Sequence, residues 1–244
     1  MTNRNLILLP GKSASGKTTS LRNLRDPQGV LYLGCESGKE LPFASSFKVK
    51  NITDPLEIPG IFESLKKQKK CHTIIIDSLT YLMDMFESLY VLTAPAAGDA
   101  KFKAWSDYAQ YFKVLMQKHV AESPKNVVFL AHTSDILNES EHVMETMVKV
   151  KGSLMNQGIE SYFNNVIACK KMPLAKLADC EGPLLTITPE DELLGYKYVY
   201  QTRLTKETVN ERIRGPLGLW AINEIFIDND LQLALDKLQA YYEE

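Results

Sequence analysis

The sequence predicts an α/β fold in which a mostly parallel central sheet is flanked by helices. Apolar runs of strand length alternate along the chain with segments of helical periodicity, which is typical of parallel sheets covered on both faces. The first run, residues 5–10, leads directly into a glycine-containing turn at residues 11–18, as a phosphate-binding loop requires. A later run ends in Asp77, and ligands of open α/β sheets bind at the carboxyl ends of the strands. We therefore expect a ligand site at that edge.

The individual elements follow from the same patterns. Strands are predicted from apolar runs bounded by turn-forming residues, over residues 5–10, 29–34, 47–52, 73–78, 126–132 and 165–169. Helices are predicted from apolar residues at helical spacing, over residues 19–25, 55–70, 79–93, 101–122, 153–161 and 229–242. Residues 133–152 are polar and are expected to be irregular, with some alternation over 148–151. Residues 184–188 and 196–204 predict a late β-hairpin near the C-terminus.

Length and composition are those of an ordinary globular protein. With 244 residues, 45% apolar and 24% charged, the chain is expected to form one domain over residues 1–244. A net charge of −2 excludes a global attraction to nucleic acid or to an anionic membrane, so DNA binding needs a local patch or many copies.

Cysteine usage and the N-terminus bear on the compartment. The four cysteines lie far apart without a CxxC pair, which indicates reduced thiols and argues against a zinc site or a disulfide framework. The N-terminus lacks the pattern of a signal peptide, and no apolar run approaches the roughly 20 residues of a membrane span. We expect a cytoplasmic protein with no membrane partner.

The most specific motif is a complete GxxxxGKT sequence after the first strand. Its residues, with the threonine that follows, are Gly11, Lys12, Ser13, Ala14, Ser15, Gly16, Lys17, Thr18 and Thr19. Glycines let backbone N–H groups point at phosphate oxygens, and a helix N-terminus adds partial positive charge there. In such a loop Lys17 reaches the β- and γ-phosphates, and the Thr18 hydroxyl ligates Mg²⁺. The alternative is a Gly/Ser-rich turn that matches by chance, but the flanking elements favour a site for ATP and Mg²⁺.

Two carboxylates are candidates to complete this site. Asp77 ends a strand of three isoleucines, and at the carboxyl edge of the sheet it can hold Mg²⁺ through water. The alternative for Asp77 is a helix-capping acid before Ser78. Asp77 is not followed by Glu, so the better candidate for activating water is Glu36, directly beyond the second strand. We expect that strand to neighbour the phosphate loop. The alternative for Glu36 is an ordinary surface acid.

A histidine is the third candidate at the same edge. His132 ends the fourth buried strand and is followed by Thr133. There it can contact the γ-phosphate and report its presence to the polar segment that follows. The alternative is a structural histidine at a strand end.

The order of these motifs resembles that of RecA-like ATPases over about residues 5–217. The chain looks most like the short phage-encoded members, the Sak-type recombinases and related phage nucleotide-binding proteins. Residues 210–216, Asn-Glu-Arg-Ile-Arg-Gly-Pro, are similar to the Lys-Asn-Arg-Phe-Gly-Pro element of RadA-like proteins. The resemblance implies that Glu36 is the catalytic glutamate and His132 the γ-phosphate sensor. It also implies that Arg212 or Arg214 reaches the nucleotide of a neighbouring subunit, with an ordinary basic turn as the alternative.

The resemblance also implies a task. It predicts an ATP- and Mg²⁺-dependent ATPase that assembles with copies of itself into a ring or filament and acts on single-stranded DNA in phage recombination or repair. Residues 94–104 and 134–152 occupy the places of the mobile DNA-binding loops of RecA-like proteins. Four aromatic residues follow the first of them at helical spacing and are expected in the core: Trp105, Tyr108, Tyr111 and Phe112. The alternatives are an ATP-driven regulatory or partner-binding module without DNA contact, and a ring helicase or loader.

Overall fold

A computed structural model describes residues 3–95 and 98–243. It contains a seven-stranded central sheet and a separate three-stranded antiparallel sheet. The central strands are β1 (Leu6–Gly11), β2 (Val30–Gly34), β3 (Lys48–Asn51), β4 (Thr73–Asp77), β5 (Asn126–Asn138), β6 (Val143–Val148) and β7 (Asn165–Val166). The small sheet holds β8 (Ala168–Pro173), β9 (Tyr196–Gln201) and β10 (Phe226–Asp228). The helices are α1 (Glu57–Leu65), α2 (Leu79–Phe86), α3 (Asp99–Val114), α4 (Ser153–Gln157), α5 (Pro189–Leu194) and α6 (Leu231–Glu243).

The central sheet is covered on both faces, which confirms the predicted α/β fold. Along β1, Leu6 and Leu8 join the hydrophobic cluster that contains the buried residues of α1, α2 and α3. Ile7 and Leu9 point to the other face and join the cluster that contains the buried residues of α6. Successive residues of a strand face opposite sides of a sheet, so a strand covered on both faces is apolar throughout. No helix in the described ranges is long and apolar enough to cross a membrane.

The strand order brings together residues that are distant in the chain. The central sheet runs β3-β2-β4-β5-β1-β7, with β6 paired to β5. Two strands, β4 and β5, therefore separate β2 from β1, and the expectation that β2 neighbours the phosphate loop is wrong. Parallel strands are joined by crossover connections, so a later strand can insert between two earlier ones. The pairing of Gly34 with Asp77 nevertheless places the end of β2 beside the end of β4.

The helix predicted over residues 19–25 is only a 3₁₀ turn at Thr19–Leu21. The chain beyond it is held by the C-terminal region instead. Arg22 donates to the backbone oxygen of Asn229, and Arg25 forms an ion pair with Asp236 on α6. These tertiary contacts override the weak helical preference of the segment.

The predicted hairpin of residues 184–188 with residues 196–204 is also wrong. Strand β9 pairs instead with β8 and β10, both antiparallel. Residues 184–188 form no strand: Leu184 accepts a hydrogen bond from the backbone N–H of Asp228, and Thr188 caps α5 by accepting one from the backbone N–H of Asp191. Residues 184–188 and residues 196–204 both have the sequence pattern of a strand. Which strands pair with β9 is decided only by the tertiary fold.

Residues 133–152, expected to be irregular, contain a regular β-hairpin. Strand β5 continues past His132 to Asn138 and pairs antiparallel with β6. Parallel pairing of β5 with β1 ends at His132 opposite Gly11, and antiparallel pairing with β6 begins at Thr133 opposite Val148. We call residues 133–148 the edge hairpin, because they extend from the carboxyl edge of the central sheet.

Candidate functional site

The phosphate loop closes on itself at the end of β1. Ala14 and Gly16 have positive φ angles of 57° and 84°, which turn the backbone sharply. The Lys17 ammonium donates to the carbonyl oxygens of Gly11 and Lys12 at 2.9 and 2.8 Å. A Cβ atom on Gly11 would lie 2.6 Å from the backbone oxygen of Cys169, so only glycine fits this position.

Two buried polar groups of the loop, the Lys17 ammonium and the Ser15 hydroxyl, are suited to bind an anion. Lys17 is only 6% exposed, and burial lowers its pKa. The Ser15 hydroxyl oxygen is buried without a hydrogen-bond partner among the described residues. Buried polar groups are costly unless they are paired. Phosphate oxygens would pair with both, so the loop fits the polyphosphate that the sequence predicts.

Asp77 lies within hydrogen-bond reach of the loop. Its Oδ2 accepts from the Thr18 hydroxyl at 2.7 Å and from the Tyr32 hydroxyl at 2.8 Å. Asp77 is 3% exposed, and burial raises the pKa of its carboxyl. The helix-capping role belongs to its neighbour Ser78, whose side chain accepts from the backbone N–H of Tyr81.

The predicted metal ligands, Thr18 and Asp77, are therefore adjacent. In the described ranges no cluster of three or more His, Cys, Asp or Glu residues could hold a metal ion. Mg²⁺ usually keeps several waters and is bound by one or two protein oxygens together with phosphate oxygens. A hydroxyl beside a buried carboxylate fits that donor set.

The two other predicted residues also meet. Glu36 Oε1 lies 3.2 Å from His132 Nε2, although the residues are 96 positions apart, and Glu36 Oε2 lies 2.9 Å from Lys39 Nζ. The bond to His132 is the main cause that lowers the pKa of Glu36 to about 2. Glu36 is therefore a carboxylate at neutral pH and can accept a hydrogen bond from a water molecule. His132 does not end its strand as expected, since β5 continues to Asn138.

Sequence reasoning missed a link from the loop to the edge hairpin. Lys12 Nζ lies 2.6 Å from Asp135 Oδ2, and Thr146 donates to Asp135 Oδ1 at 2.8 Å. A cavity of about 760 Å³ opens here, lined by the first half of the loop, the edge hairpin, β8 and part of the segment 207–213. The sequence carried little signal for this hairpin, because residues 135–138 read Asp-Ile-Leu-Asn and do not alternate between polar and apolar residues.

The two late arginines occupy different environments. Arg212 forms ion pairs with Glu160 at 3.2 Å and Glu145 at 3.4 Å. Its partner Glu160 is buried and also accepts from the backbone N–H of Val148, so Arg212 braces the edge hairpin within its own chain. Arg214 is exposed, and its backbone pairs with Val166 of β7. The sequence offered no basis for choosing between the two arginines, whereas the structure shows Arg212 in ion pairs within the chain and Arg214 exposed.

The lysines of the predicted DNA-binding segments are mostly engaged locally. Lys101 donates to the carbonyl of Val91, Lys103 pairs with an acid on α3, and Lys151 pairs with Glu87. Lys149 is exposed. Residues 96–97 of the first segment lie outside the described residues. The aromatic residues after it belong to the core as predicted: Tyr108 and Phe112 are buried, and Trp105 and Tyr111 pack against the same cluster.

Comparison with known proteins identifies a family. The model of a family described as an AAA domain matches residues 3–173, which include the loop, Glu36, Asp77 and His132 but not the late arginines. No curated protein matches the chain. Among solved structures, the chain is similar to a prototypical ATPase from the type III secretion system of pathogenic bacteria, with 16% identity and a TM-score of 0.38. That alignment covers 72% of this chain and 53% of the other, so this chain spans about half the length of that protein.

The lowered pKa of Glu36 predicts an acid-sensitive contribution to stability. The folded pKa is about 2 and the ordinary value 4.5, so the stabilisation is complete above the ordinary value and is lost as the pH falls through about 2. We expect the free energy of unfolding, measured with urea, to differ most between wild type and Glu36→Gln near neutral pH. The difference should shrink as the pH falls toward about 3. Glu40→Gln, which changes an exposed acid, is the control and should show a constant difference. Parallel curves for all three proteins would contradict the assignment.

Proposed function

The chain belongs to the AAA domain family of P-loop ATPases, and from that premise we propose that it is an ATP- and Mg²⁺-dependent ATPase acting on single-stranded DNA. We propose further that it assembles with copies of itself and serves phage recombination or repair. The observation that carries the ATPase part is the contact between Thr18 and Asp77 beside the buried Lys17. In P-loop ATPases these three residue types hold Mg²⁺ and the β- and γ-phosphates.

Each side chain has a role that its contacts support. Lys17 and the loop N–H groups bind the phosphates, and Thr18 with Asp77 would hold Mg²⁺. When bound, Mg²⁺ neutralises charge on the phosphate oxygens. Glu36, ionised and fixed by His132 and Lys39, orients and polarises a water. As this water attacks the γ-phosphorus, the bond from that phosphorus to the β,γ-bridging oxygen breaks and ADP leaves with that oxygen.

Self-assembly and DNA binding rest on different observations. Arg214 is exposed, so in an assembly its guanidinium could reach the nucleotide of a neighbouring subunit. An arginine that stabilises the transition state of a neighbour's nucleotide, an arginine finger, raises the rate of hydrolysis by about 10³–10⁵. The net charge of −2 and the internal pairing of Lys101, Lys103 and Lys151 leave one copy with little attraction for DNA. In an assembly, each copy contributes the exposed Lys149 at the base of its edge hairpin. This repeated positive charge supports DNA binding by many copies together.

Separate variants should divide nucleotide binding from hydrolysis. Lys17→Ala removes the central cation of the loop and should abolish ATP binding in calorimetry. Glu36→Gln keeps the shape of the side chain, so ATP should still bind while steady-state turnover falls at least about 10²-fold, the scale of a lost general base. Glu192→Gln, at an exposed acid on α5, is the matched control and should behave as wild type. Full ATPase activity of Lys17→Ala would refute the site, and unchanged turnover of Glu36→Gln would move the catalytic role elsewhere.

Hydrolysis between subunits predicts a dependence on protein concentration. If an arginine acts in trans, activity per protomer should rise with concentration, and mixing the double variant Arg212→Ala, Arg214→Ala with Lys17→Ala should restore some activity. The single variant Arg214→Ala should lose turnover without losing stability, because its side chain is exposed. Lys206→Ala changes another exposed cation nearby and is the control. Activity independent of concentration, without rescue on mixing, would indicate a self-contained monomeric ATPase.

A mobility shift with single-stranded DNA tests the remaining part of the proposal. Wild type should retard the DNA in the presence of ATP or a slowly hydrolysed analogue, and more weakly without nucleotide. Lys149→Glu should weaken the shift and its dependence on salt, whereas Lys67→Glu, at an exposed lysine after α1, should not. Intact ATPase activity without any shift would favour a regulatory or partner-binding module. Strand unwinding driven by ATP would favour a ring helicase or loader.

A further inference from the structure

A row of tyrosines runs along one face of β9 toward the phosphate loop. Tyr196, Tyr198 and Tyr200 alternate with other residues, so their side chains share a face. Tyr200 is fully buried, and its hydroxyl donates to Ser20 Oγ at 2.6 Å, just after the loop. Tyr198 is 36% exposed. The row therefore runs from the interior beneath the loop to the surface beside it.

Tyr198 lies against Gly16 of the loop. A Cβ atom on Gly16 would come within 3.1 Å of Tyr198 Cδ1 and 3.3 Å of Cγ. The ring is thus in contact with the turn that binds phosphates, while part of it remains open to solvent. A nucleotide whose phosphates occupy the loop carries its base only one ribose away, so an exposed ring at this distance is within its reach.

The second observation concerns Asn229, which follows β10. Its Oδ1 would lie 3.0 Å from a Cβ atom on Gly16, so it borders the same residue as Tyr198. Asn229 is 5% exposed, and its Nδ2 is buried without a partner among the residues that the structure describes. A buried amide donor without a partner beside the loop suits a ligand that brings a hydrogen-bond acceptor.

A lysine completes the surroundings of the row. Lys171 of β8 stands opposite Tyr198 in the strand register, with its Nζ 3.7 Å from the centre of the Tyr196 ring and 6.0 Å from that of Tyr198. The Tyr196 and Tyr198 rings meet edge to face at 5.7 Å. These contacts hold the Tyr198 ring in place before a ligand arrives, so little side-chain entropy is lost on binding.

We propose that Tyr198 and Asn229 form the nucleoside subsite of this ATPase, in which the Tyr198 ring stacks on a purine base and Asn229 donates to the base or ribose. The inference rests on the proposed nucleotide function, because the phosphate loop must hold the other end of the ligand. Stacking on an aromatic ring favours purines, which have the larger flat surface. Tyr198 is then a specificity-determining residue for the nucleotide.

Inorganic tripolyphosphate, which has phosphates but no base, separates this subsite from the loop. We would measure the affinity of ATP and of tripolyphosphate, each with Mg²⁺, by calorimetry for wild type, Tyr198→Phe, Tyr198→Leu and Tyr198→Ala. Loss of stacking should weaken ATP binding of the Leu and Ala variants about 5- to 100-fold, while Tyr198→Phe stays near wild type. Tripolyphosphate affinity should remain unchanged in all of them. Tyr241→Ala, at the far end of α6, is the control and should change neither affinity.

Each other outcome would overturn the inference in a recognisable way. Equal losses for ATP and tripolyphosphate in Tyr198→Leu would mean that the ring only supports the loop. Unchanged ATP affinity in Tyr198→Leu and Tyr198→Ala would mean that the base binds elsewhere. A wild type that binds tripolyphosphate as tightly as ATP would remove the subsite but keep the loop. A wild type that binds neither would overturn the proposed function itself, and this inference with it.

Discussion

The candidate site depends on the hydrogen bond from the Thr18 hydroxyl to Asp77. This bond joins the loop after β1 to the end of β4, although β5 lies between these strands. It is possible because the parallel register aligns the carboxyl ends: His132 of β5 stands opposite Gly11 and Leu130 opposite Asp77. A slip of one residue would turn every side chain of a strand to the other face and separate the two groups. Burial of both apolar faces of the sheet fixes the strand register, and this register keeps Thr18 and Asp77 in contact.

The same arrangement explains the electrostatics of the site. Burial lowers the pKa of Lys17 and raises that of Asp77, so both charged forms are disfavoured by their surroundings. A bound polyphosphate would stabilise the charge of Lys17, and a divalent cation at the proposed metal site would stabilise that of Asp77. Glu36 differs because it has its own partners, His132 and Lys39, and stays ionised without a ligand. Lys17 and Asp77 would thus gain partners for their charges only when a ligand binds, whereas Glu36 is already ionised and paired in the free protein.

The edge hairpin connects these groups to the rest of the molecule. His132 at its base contacts Glu36, Asp135 pairs with Lys12 of the loop, and Arg212 ties it to the late segment through Glu145 and Glu160. A change at the phosphates would act on the hairpin at two points, through Lys12 and through His132. These contacts support the expectation that His132 reports the presence of the γ-phosphate to the segment that follows it. They join residues from distant parts of the chain, so no single segment of the sequence reveals them.

The sequence by itself determined the phosphate loop, the alternating helices and strands, the core aromatic residues and the identities of Asp77, Glu36 and His132 as candidates. These are local signals, because periodicity and motif spacing are properties of neighbouring residues. Only the tertiary structure decided the strand order, the pairing of β9 with β8 and β10, the edge hairpin and the short turn after the loop. It also distinguished Arg212 from Arg214 and placed Tyr198 against Gly16. The reason is physical: which strands pair, and which side chains meet across the sheet, is set by burying both faces of the whole sheet at once, and no local pattern records that choice.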